Sequence, residues 1–176
     1  MPRSRTAPHT ANSPGTDVRL HVPVRLRWAD LDAYGHVNNV EVLRLLEEAR
    51  VHALWLADDA VERVGMPPTA VVDAKLGSTT LSIIARTEIE YLQTIEYRRT
   101  PLDVQVWIGR LGGADVEVCY EVCSPVGAEP FEVYARASTT IAMVDASTMK
   151  PRRLLDVERE AWKPYVEEPV QFKKRR

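Results

Sequence analysis

Apolar and polar residues alternate over residues 18–28, and this is the first clear pattern in the chain. The apolar side chains of one face are Val22, Val24, Leu26 and Trp28. A period of two is typical of a strand with one buried face, so we predict a first β-strand here. Residues 29–37 lose the alternation and contain Asp, Gly and His, which predicts a loop.

A helical pattern begins at Asn38. Asn is a favoured N-cap residue, Glu41 follows three residues later, and Val37 and Val42 flank the cap in the manner of a hydrophobic staple. Apolar residues then recur at helical spacing to about residue 57. They are Val42, Leu45, Leu46, Ala49, Ala53 and Leu56. This pattern predicts one long helix with a broad buried face.

The second half of the chain is predicted to be strands. The alternating segments are residues 83–92, 102–108, 116–122 and 131–144. The first of them places Ile83 and Ile89 on one apolar face, so we expect it to be half buried. Tight turns at Gly112-Gly113 and at 125–130 predict an antiparallel meander. Because helices and strands do not alternate, we predict an α+β fold in which a curved antiparallel sheet wraps around one central helix.

Length and composition fit a single domain, with 176 residues of which 45% are hydrophobic. We assign residues 18–160 to this domain, 1–17 to a flexible N-terminal tail and 161–176 to a C-terminal tail. Residues 1–17 have no apolar core of the kind that a secretory signal needs. The rest of the chain has no long uncharged apolar run, so we expect no membrane span.

Charge and cysteine content narrow the function further. The formal net charge of −2 provides no basic field that would attract nucleic acid, so we expect no nucleic-acid partner. Cys119 and Cys123 lie in one predicted strand, where a spacing of about 13 Å exceeds disulfide reach. Two thiols that cannot pair favour a reducing compartment, and we predict a cytoplasmic protein.

Residues 30–39 carry the candidate chemistry, because they place carboxylates just before the predicted helix. The N–H group of Asn39, in the first turn, has no intrahelical acceptor and is available to a developing oxyanion. One such donor typically stabilises a transition state by about 3 kcal/mol. Asp32 lies six residues before Asn38, and Gly35 lets the loop turn sharply and bring its backbone close to a substrate. An anionic carboxylate suits a nucleophile or general base, so Asp32 is the candidate catalytic residue.

The neighbouring residues each have a structural and a functional interpretation. Asp30 is predicted to form the turn or cap, or to tune the charge of Asp32. His36 is predicted either to orient water or contact the substrate, or to make a structural hydrogen bond. Asn38 is the cap itself, and we include it in the candidate site. Glu47 is three residues from Arg44 and from Arg50, which predicts an ordinary surface ion pair.

Residues 30–39, followed by Leu43 and by Leu46-Glu47-Glu48-Ala49-Arg50, closely resemble the signature of hot-dog-fold acyl-CoA thioesterases of the 4-hydroxybenzoyl-CoA thioesterase type. The likeness extends over residues 22–151. It implies a hot-dog fold, hydrolysis of acyl-CoA without a cofactor or metal, and a dimer with two active sites at the subunit interface. It also assigns the catalytic carboxylate to Asp32 and the amide that polarises the thioester to Asn39.

Two positions depart from the family pattern, with Val42 where many relatives have Tyr and Thr94 where many have Pro. Coenzyme A carries phosphates that require basic groups, and Arg110, before the Gly112-Gly113 turn, is the candidate for binding them. The resulting hypothesis is a cytoplasmic acyl-CoA thioesterase of lipid metabolism, active as a homodimer or homotetramer.

Three alternatives remain open on the sequence. An Asp-x-Asp pair after a strand also occurs in haloacid-dehalogenase-like phosphatases, although those need a parallel sheet. Asp30, Asp32 and His36 are also residue types that bind metals. A non-catalytic acyl or acyl-CoA binding protein would use the same cleft without hydrolysis.

Overall fold

Five antiparallel strands form one sheet in the part of the chain that the computed structural model describes, residues 18–57, 63–73 and 75–173. The strands are β1 (Leu20–Val24), β2 (Thr80–Tyr91), β3 (Leu102–Leu111), β4 (Asp115–Cys123) and β5 (Val133–Asp145), in the spatial order β1-β3-β4-β5-β2. The helices are α1 (Asn39–Leu54) and the short α2 (Asp156–Trp162). The predicted N-terminal tail, 1–17, lies outside the described residues.

One face of the sheet packs against α1 and forms the core. Every second residue of β3 and β4 points to this face, and α1 contributes the stripe that the sequence predicts. The core residues from these elements with no exposed surface include Leu45, Ala49, Ala53, Leu102, Val104, Val116, Val118 and Tyr120. The helix packs chiefly on β1 and β3.

The start of α1 is as predicted. The side-chain oxygen of Asn38 accepts the Val40 N–H at 3.1 Å, which makes Asn38 the N-cap. Glu41 does not return to the cap, because the Asn38 N–H already donates to the Asp30 carbonyl at 2.8 Å. Glu41 instead accepts from Arg44 at 2.7 Å, so an ion pair holds the first turn.

Asp30 is fully buried beside this helix start. Its carboxylate accepts the Arg27 N–H at 2.6 Å, the Arg27 Nε at 2.9 Å and the Arg44 Nη2 at 2.8 Å. Burial by itself raises the pKa of this carboxyl, but the Arg27 hydrogen bonds and the Arg44 charge outweigh it and hold the pKa below its ordinary value. Asp30 therefore acts as the turn and cap residue that ties the loop to α1.

The first strand and the helix are both shorter than predicted. Strand β1 ends at Val24, and Trp28 lies in a 3₁₀ turn, 72% exposed, with its ring stacked on Tyr97 at 4.3 Å. Leu56 lies beyond the end of α1 and is exposed as well. Trp28 and Leu56 both fit the periodic pattern of the sequence. The backbone hydrogen bonds that would extend β1 to Trp28 and α1 to Leu56, however, do not form.

The meander prediction holds for β3, β4 and β5 but is wrong for β2. Strand β2 pairs with β5 at the edge of the sheet instead of with β3. Its register shifts between Ile84 and Arg86, so the alternation is interrupted, and Ile83 and Ile84 are both exposed. The expectation that Ile83 lies on a half-buried face is therefore wrong for a single protomer.

The segment after residue 160, which we expected to be a tail, packs onto the domain as far as the structure describes it. Trp162 has no exposed surface, and its Nε1 donates to the Thr69 carbonyl at 2.9 Å. The Trp107 Nε1 donates to the Glu168 carbonyl at 3.0 Å. The many charged residues around Trp162 give this segment no apolar pattern, so the sequence did not predict that it packs onto the domain.

Both cysteines are buried on β4 and are free thiols. Burial raises the pKa of Cys119 to about 11 and that of Cys123 to about 12. Both thiols are therefore protonated near neutral pH and are poor nucleophiles. No helix of the described residues is long and apolar enough to cross a membrane.

Replacing Trp162 with Ala removes a fully buried ring and its hydrogen bond. We expect the free energy of unfolding to fall by about 3–5 kcal/mol, as measured by urea denaturation. Trp28→Ala makes the same chemical change at an exposed position, and we expect it to cost less than about 1 kcal/mol. Equal losses for the two variants would contradict the placement of Trp162 in the core.

Replacing Asp30 with Asn tests the buried ion pairs. A carboxyl whose folded-state pKa is depressed adds stability above the ordinary aspartate pKa of about 3.9, and this is lost as pH falls through the lower folded-state value. We expect Asp30→Asn to cost about 3–5 kcal/mol at neutral pH, because it leaves buried guanidinium groups without their counter-charge. The difference from the parent protein in urea unfolding should shrink as pH falls below about 4.

The exposed Asp73→Asn change is the matched control and should show little difference at any pH. A difference for Asp30→Asn that stays constant down to acid pH would contradict the role of the carboxylate charge.

Candidate active site

The loop before α1 is a tight hairpin that positions Asp32. The Asp32 N–H donates to the His36 carbonyl at 2.8 Å, and the Gly35 N–H donates to the Asp32 carbonyl at 3.1 Å. Gly35 has φ +80°, the left-handed region that glycine adopts without strain. The prediction of a sharp turn at Gly35 is therefore confirmed.

The Asp32 carboxylate is held by the backbone of this loop. Its Oδ1 accepts the N–H of Tyr34 at 2.8 Å and the N–H of His36 at 3.1 Å. Among the described residues, Oδ2 has no hydrogen-bond partner. One oxygen thus fixes the orientation of the side chain, and the other is available to a ligand or to water.

Asp32 and His36 line a cavity of about 340 Å³. The remaining wall comes from α1, from the end of β2 and the residues after it, and from the start of β5. These residues include Val42, Tyr91, Thr94, Ile95 and Tyr134. The cavity therefore places one carboxylate and one imidazole against a mostly apolar and aromatic surface, which is suited to binding an acyl group beside a reactive oxygen.

The helix start lies directly behind this wall. The Tyr91 hydroxyl donates to the Asn39 carbonyl at 3.0 Å, and burial raises the pKa of Tyr91. The Asn39 N–H, in the first turn of α1, has no acceptor within the described residues. Asn38 and Asn39 are not themselves among the residues that line the cavity, so the amide reaches a ligand only at the cavity rim.

Arg110, a predicted site residue, lies far from this cavity. It pairs across the sheet with Glu117, which in turn pairs with Thr140, six residues along β5 from Tyr134. This separation corresponds to about 20 Å. Arg110 is also ion-paired with Asp115 at 3.0 Å.

Tyr91 and Tyr134 are wall residues that the sequence interpretation did not single out. The Leu92 N–H donates to the Tyr134 carbonyl at 2.8 Å, so the pairing of β2 with β5 brings them together. No local pattern indicates this pairing. The two departures from the family signature, Val42 and Thr94, also both lie on the cavity wall.

The structure also bears on the alternatives. The phosphatase fold needs a parallel sheet, whereas every strand pair in the described sheet is antiparallel. Asp30 is engaged by Arg27 and Arg44 through both carboxylate oxygens, so it is not placed to bind a metal together with Asp32.

A larger cavity, of about 710 Å³, lies at the other end of α1. Its wall includes Val51, His52, Trp55 and Met66, and it contains no residue of the predicted site. The smaller cavity is the candidate active site because the predicted reactive side chains, Asp32 and His36, both line it.

Solved structures of similar proteins support the fold. A thioesterase superfamily protein from Jannaschia sp. CCS1 is 19% identical, with 89% of this chain and 99% of that chain covered and a TM-score of 0.68. The PA5185 protein from Pseudomonas aeruginosa PAO1 is 20% identical over 86% and 94% of the chains, with a TM-score of 0.66. A predicted thioesterase from Bacillus stearothermophilus is also 20% identical, over 86% and 99%, with a TM-score of 0.64.

A search of the curated proteins found no significant match. A profile of the Thioesterase-like superfamily, however, matches residues 26–166. This range begins just after β1, ends at Val166 and includes the whole candidate site. The curved five-stranded antiparallel sheet with its helix is the hot-dog fold, and the chain belongs to the Thioesterase-like superfamily.

Proposed function

We propose that this protein hydrolyses acyl-CoA thioesters to a free carboxylic acid and coenzyme A. The observation that carries the proposal is the placement of Asp32, whose carboxylate is oriented by two backbone N–H groups on the wall of an apolar cavity. Membership of the superfamily supports thioester hydrolysis in general. The signature shared with the 4-hydroxybenzoyl-CoA type supports coenzyme A as the thiol.

Asp32 acts in one of two ways. As a nucleophile, its oxygen attacks the thioester carbon, the C–S bond breaks, and water then hydrolyses the mixed anhydride and restores the carboxylate. As a general base, it takes a proton from a water molecule whose oxygen attacks the same carbon. In both routes the sulfur leaves as a thiolate and is protonated to the free thiol.

The start of α1 stabilises the negative charge on the carbonyl oxygen. The N–H of Asn39 and the helix dipole provide this stabilisation, while Asn38 fixes where the helix begins. His36 lies next to Asp32 on the cavity wall and orients the water or the thioester. Gly35 keeps the loop backbone close to the substrate. The proposal does not use Arg110, because it lies far from this cavity in the same chain.

We further propose that the active form is a homodimer or homotetramer. Strand β2 is an edge strand of the described sheet and exposes Ile83 and Ile84. An apolar edge with unpaired backbone groups is suited to pairing with a second copy. A cytoplasmic location and a role in lipid metabolism complete the proposal.

Replacing Asp32 with Asn removes the reactive charge and keeps the shape. We expect turnover, measured as release of coenzyme A over short, long and aromatic acyl-CoA substrates, to fall by about 10²–10⁴-fold or more. Binding of a non-hydrolysable thioether analogue should stay near that of the parent protein. Asp73→Asn is the matched control and should leave turnover unchanged. Unchanged turnover in Asp32→Asn would reject the catalytic role of Asp32. If the parent protein binds the analogue but hydrolyses no substrate, the result would favour a non-catalytic acyl-CoA binding protein.

Replacing Asn39 with Pro removes the backbone N–H together with the Asn side chain, at a helix position where Pro is well tolerated. Asn38, with φ −62° and ψ 140°, already has the extended conformation that a following Pro requires. We expect kcat to fall by about 10²-fold because one oxyanion donor is lost. Asn39→Ala keeps the N–H and should retain most activity. Equal loss in both variants would show that the side chain matters and the amide does not.

A further inference from the structure

A separate cavity of about 270 Å³ lies beside α1, between the helix and the strands β2 and β5. Its wall includes the apolar residues Leu43, Leu46 and Ile84, the threonines Thr87 and Thr139, and the charged residues Arg44, Glu47 and Arg50. It is a neighbour of the active-site cavity, because Leu43 follows Val42 on α1 and Thr87 precedes Tyr91 by four residues on β2. Both cavities therefore lie along α1, about four residues apart on β2.

Arg50 carries an incompletely compensated charge into this cavity. Its side chain is only 8% exposed, and the sequence prediction of a surface ion pair is therefore wrong in one respect. Among the described residues, its one carboxylate contact is with Glu47 at 3.3 Å, and Glu47 is itself 63% exposed. A guanidinium has five N–H donors, and burying it without acceptors is costly.

Arg44, in the same helix, is an arginine whose positive charge is fully compensated by carboxylates. Arg44 contacts the carboxylates of Asp30, Glu41 and Glu48. Arg50 has no comparable set of partners in the described part of the chain, although it is more deeply buried than Arg44. Some N–H groups of the Arg50 guanidinium are thus left without a carboxylate acceptor among the described residues.

Hydroxyl groups converge on the same place. Tyr120 has no exposed surface, and its hydroxyl makes no hydrogen bond of normal geometry within the described residues. Burial raises the pKa of Tyr120, while Arg50 and Thr139 act in the opposite direction because they lie close to the hydroxyl. The Oγ1 atoms of Thr139 and Thr87 are 3.4 Å apart. The cavity wall therefore presents the Arg50 guanidinium and the hydroxyls of Thr87 and Thr139, and the Tyr120 hydroxyl lies buried behind it.

A carboxylate matches this set of groups best. It is planar, accepts two parallel bonds from a guanidinium, and has further lone pairs for hydroxyl donors. Leu43, Leu46 and Ile84 provide apolar wall for a short hydrocarbon chain. The volume of 270 Å³ corresponds to about nine water molecules, which is enough for a small carboxyl-bearing group and too little for a nucleotide.

We infer that this cavity binds a carboxylate at the distal end of the acyl group, with Arg50 as its ion-pair partner, Thr139 as an additional donor and Tyr120, buried behind the wall, as a positioning residue for Arg50. The inference rests on the proposed thioesterase function and names its substrate class, the coenzyme A thioesters of small dicarboxylic acids. Arg50 is then a specificity-determining residue. It does not take part in the bond-breaking step at Asp32.

The test compares matched thioesters that differ only in the distal group: glutaryl-CoA with valeryl-CoA, and adipyl-CoA with hexanoyl-CoA. We expect the parent protein to prefer a carboxyl member in kcat/KM by about tenfold or more. Arg50→Gln should remove this preference and keep turnover of the neutral member within a few-fold, and Arg50→Lys should retain part of it. Arg86→Gln, an exposed arginine on β2, is the control and should keep the preference.

Tyr120→Phe provides a variant that does not depend on removing a buried charge. Because the hydroxyl is unpartnered, its loss should leave the ligand-free Tm unchanged or higher. It should nevertheless reduce the preference for the carboxyl substrate several-fold. If Arg50→Gln does not fold, this variant and Thr139→Val decide the outcome. No preference in the parent protein, or a preference that the variants leave intact, would overturn the inference.

A binding measurement separates failure of this inference from failure of the proposed function. Calorimetry with free glutarate and adipate should show binding to the parent protein and about tenfold weaker binding to Arg50→Gln. If no thioester is hydrolysed but this difference is found, the hydrolase proposal fails and the carboxylate site stands. If Arg50→Gln changes only the oligomeric state, measured by light scattering, the guanidinium pairs across a subunit interface and the inference is wrong.

Discussion

The buried carboxylate of Asp30 connects three parts of the chain. It joins Arg27 in the turn after β1 to Arg44 on α1, and the carbonyl of the same residue accepts the N–H of the helix cap Asn38. A carboxylate without solvent must be compensated by charge and hydrogen bonds, and this geometry satisfies that requirement. The start of α1 and the loop that follows Asp30 consequently have little freedom, and the position of Asp32 depends on both.

Two aspartates that are two residues apart thus have opposite roles. The side chain of Asp30 is fully used by two guanidinium groups, which holds its pKa low and leaves no oxygen for a substrate. Asp32 is held through one oxygen by its own loop and keeps the other. The first stabilises the fold, and the second is the residue for which we propose a catalytic role.

The side of α1 that faces β2 combines the active-site cavity with the Arg50 cavity. The first contains a carboxylate and the second a guanidinium, so they differ in charge along a single helix. In the proposed complex, the substrate meets the negative group at its reacting end and the positive group at its far end. Val42 and Thr94, which depart from the family signature, lie on the wall of the first cavity and alter its shape.

The sequence by itself determined the features that depend on local periodicity and capping: the N-cap at Asn38, the buried stripe of α1, the hairpin from β3 to β4, and the sharp turn at Gly35 before the helix. Only the tertiary structure decided the pairing of β2 with β5, the burial of Trp162, the separation of Arg110 from the cavity, and the convergence of Arg50 with Tyr120. These features join residues far apart in the chain. The residues next to a strand or a charged side chain do not reveal which distant residue it will pair with. That partner depends on which overall arrangement buries the most apolar surface and compensates the most charge.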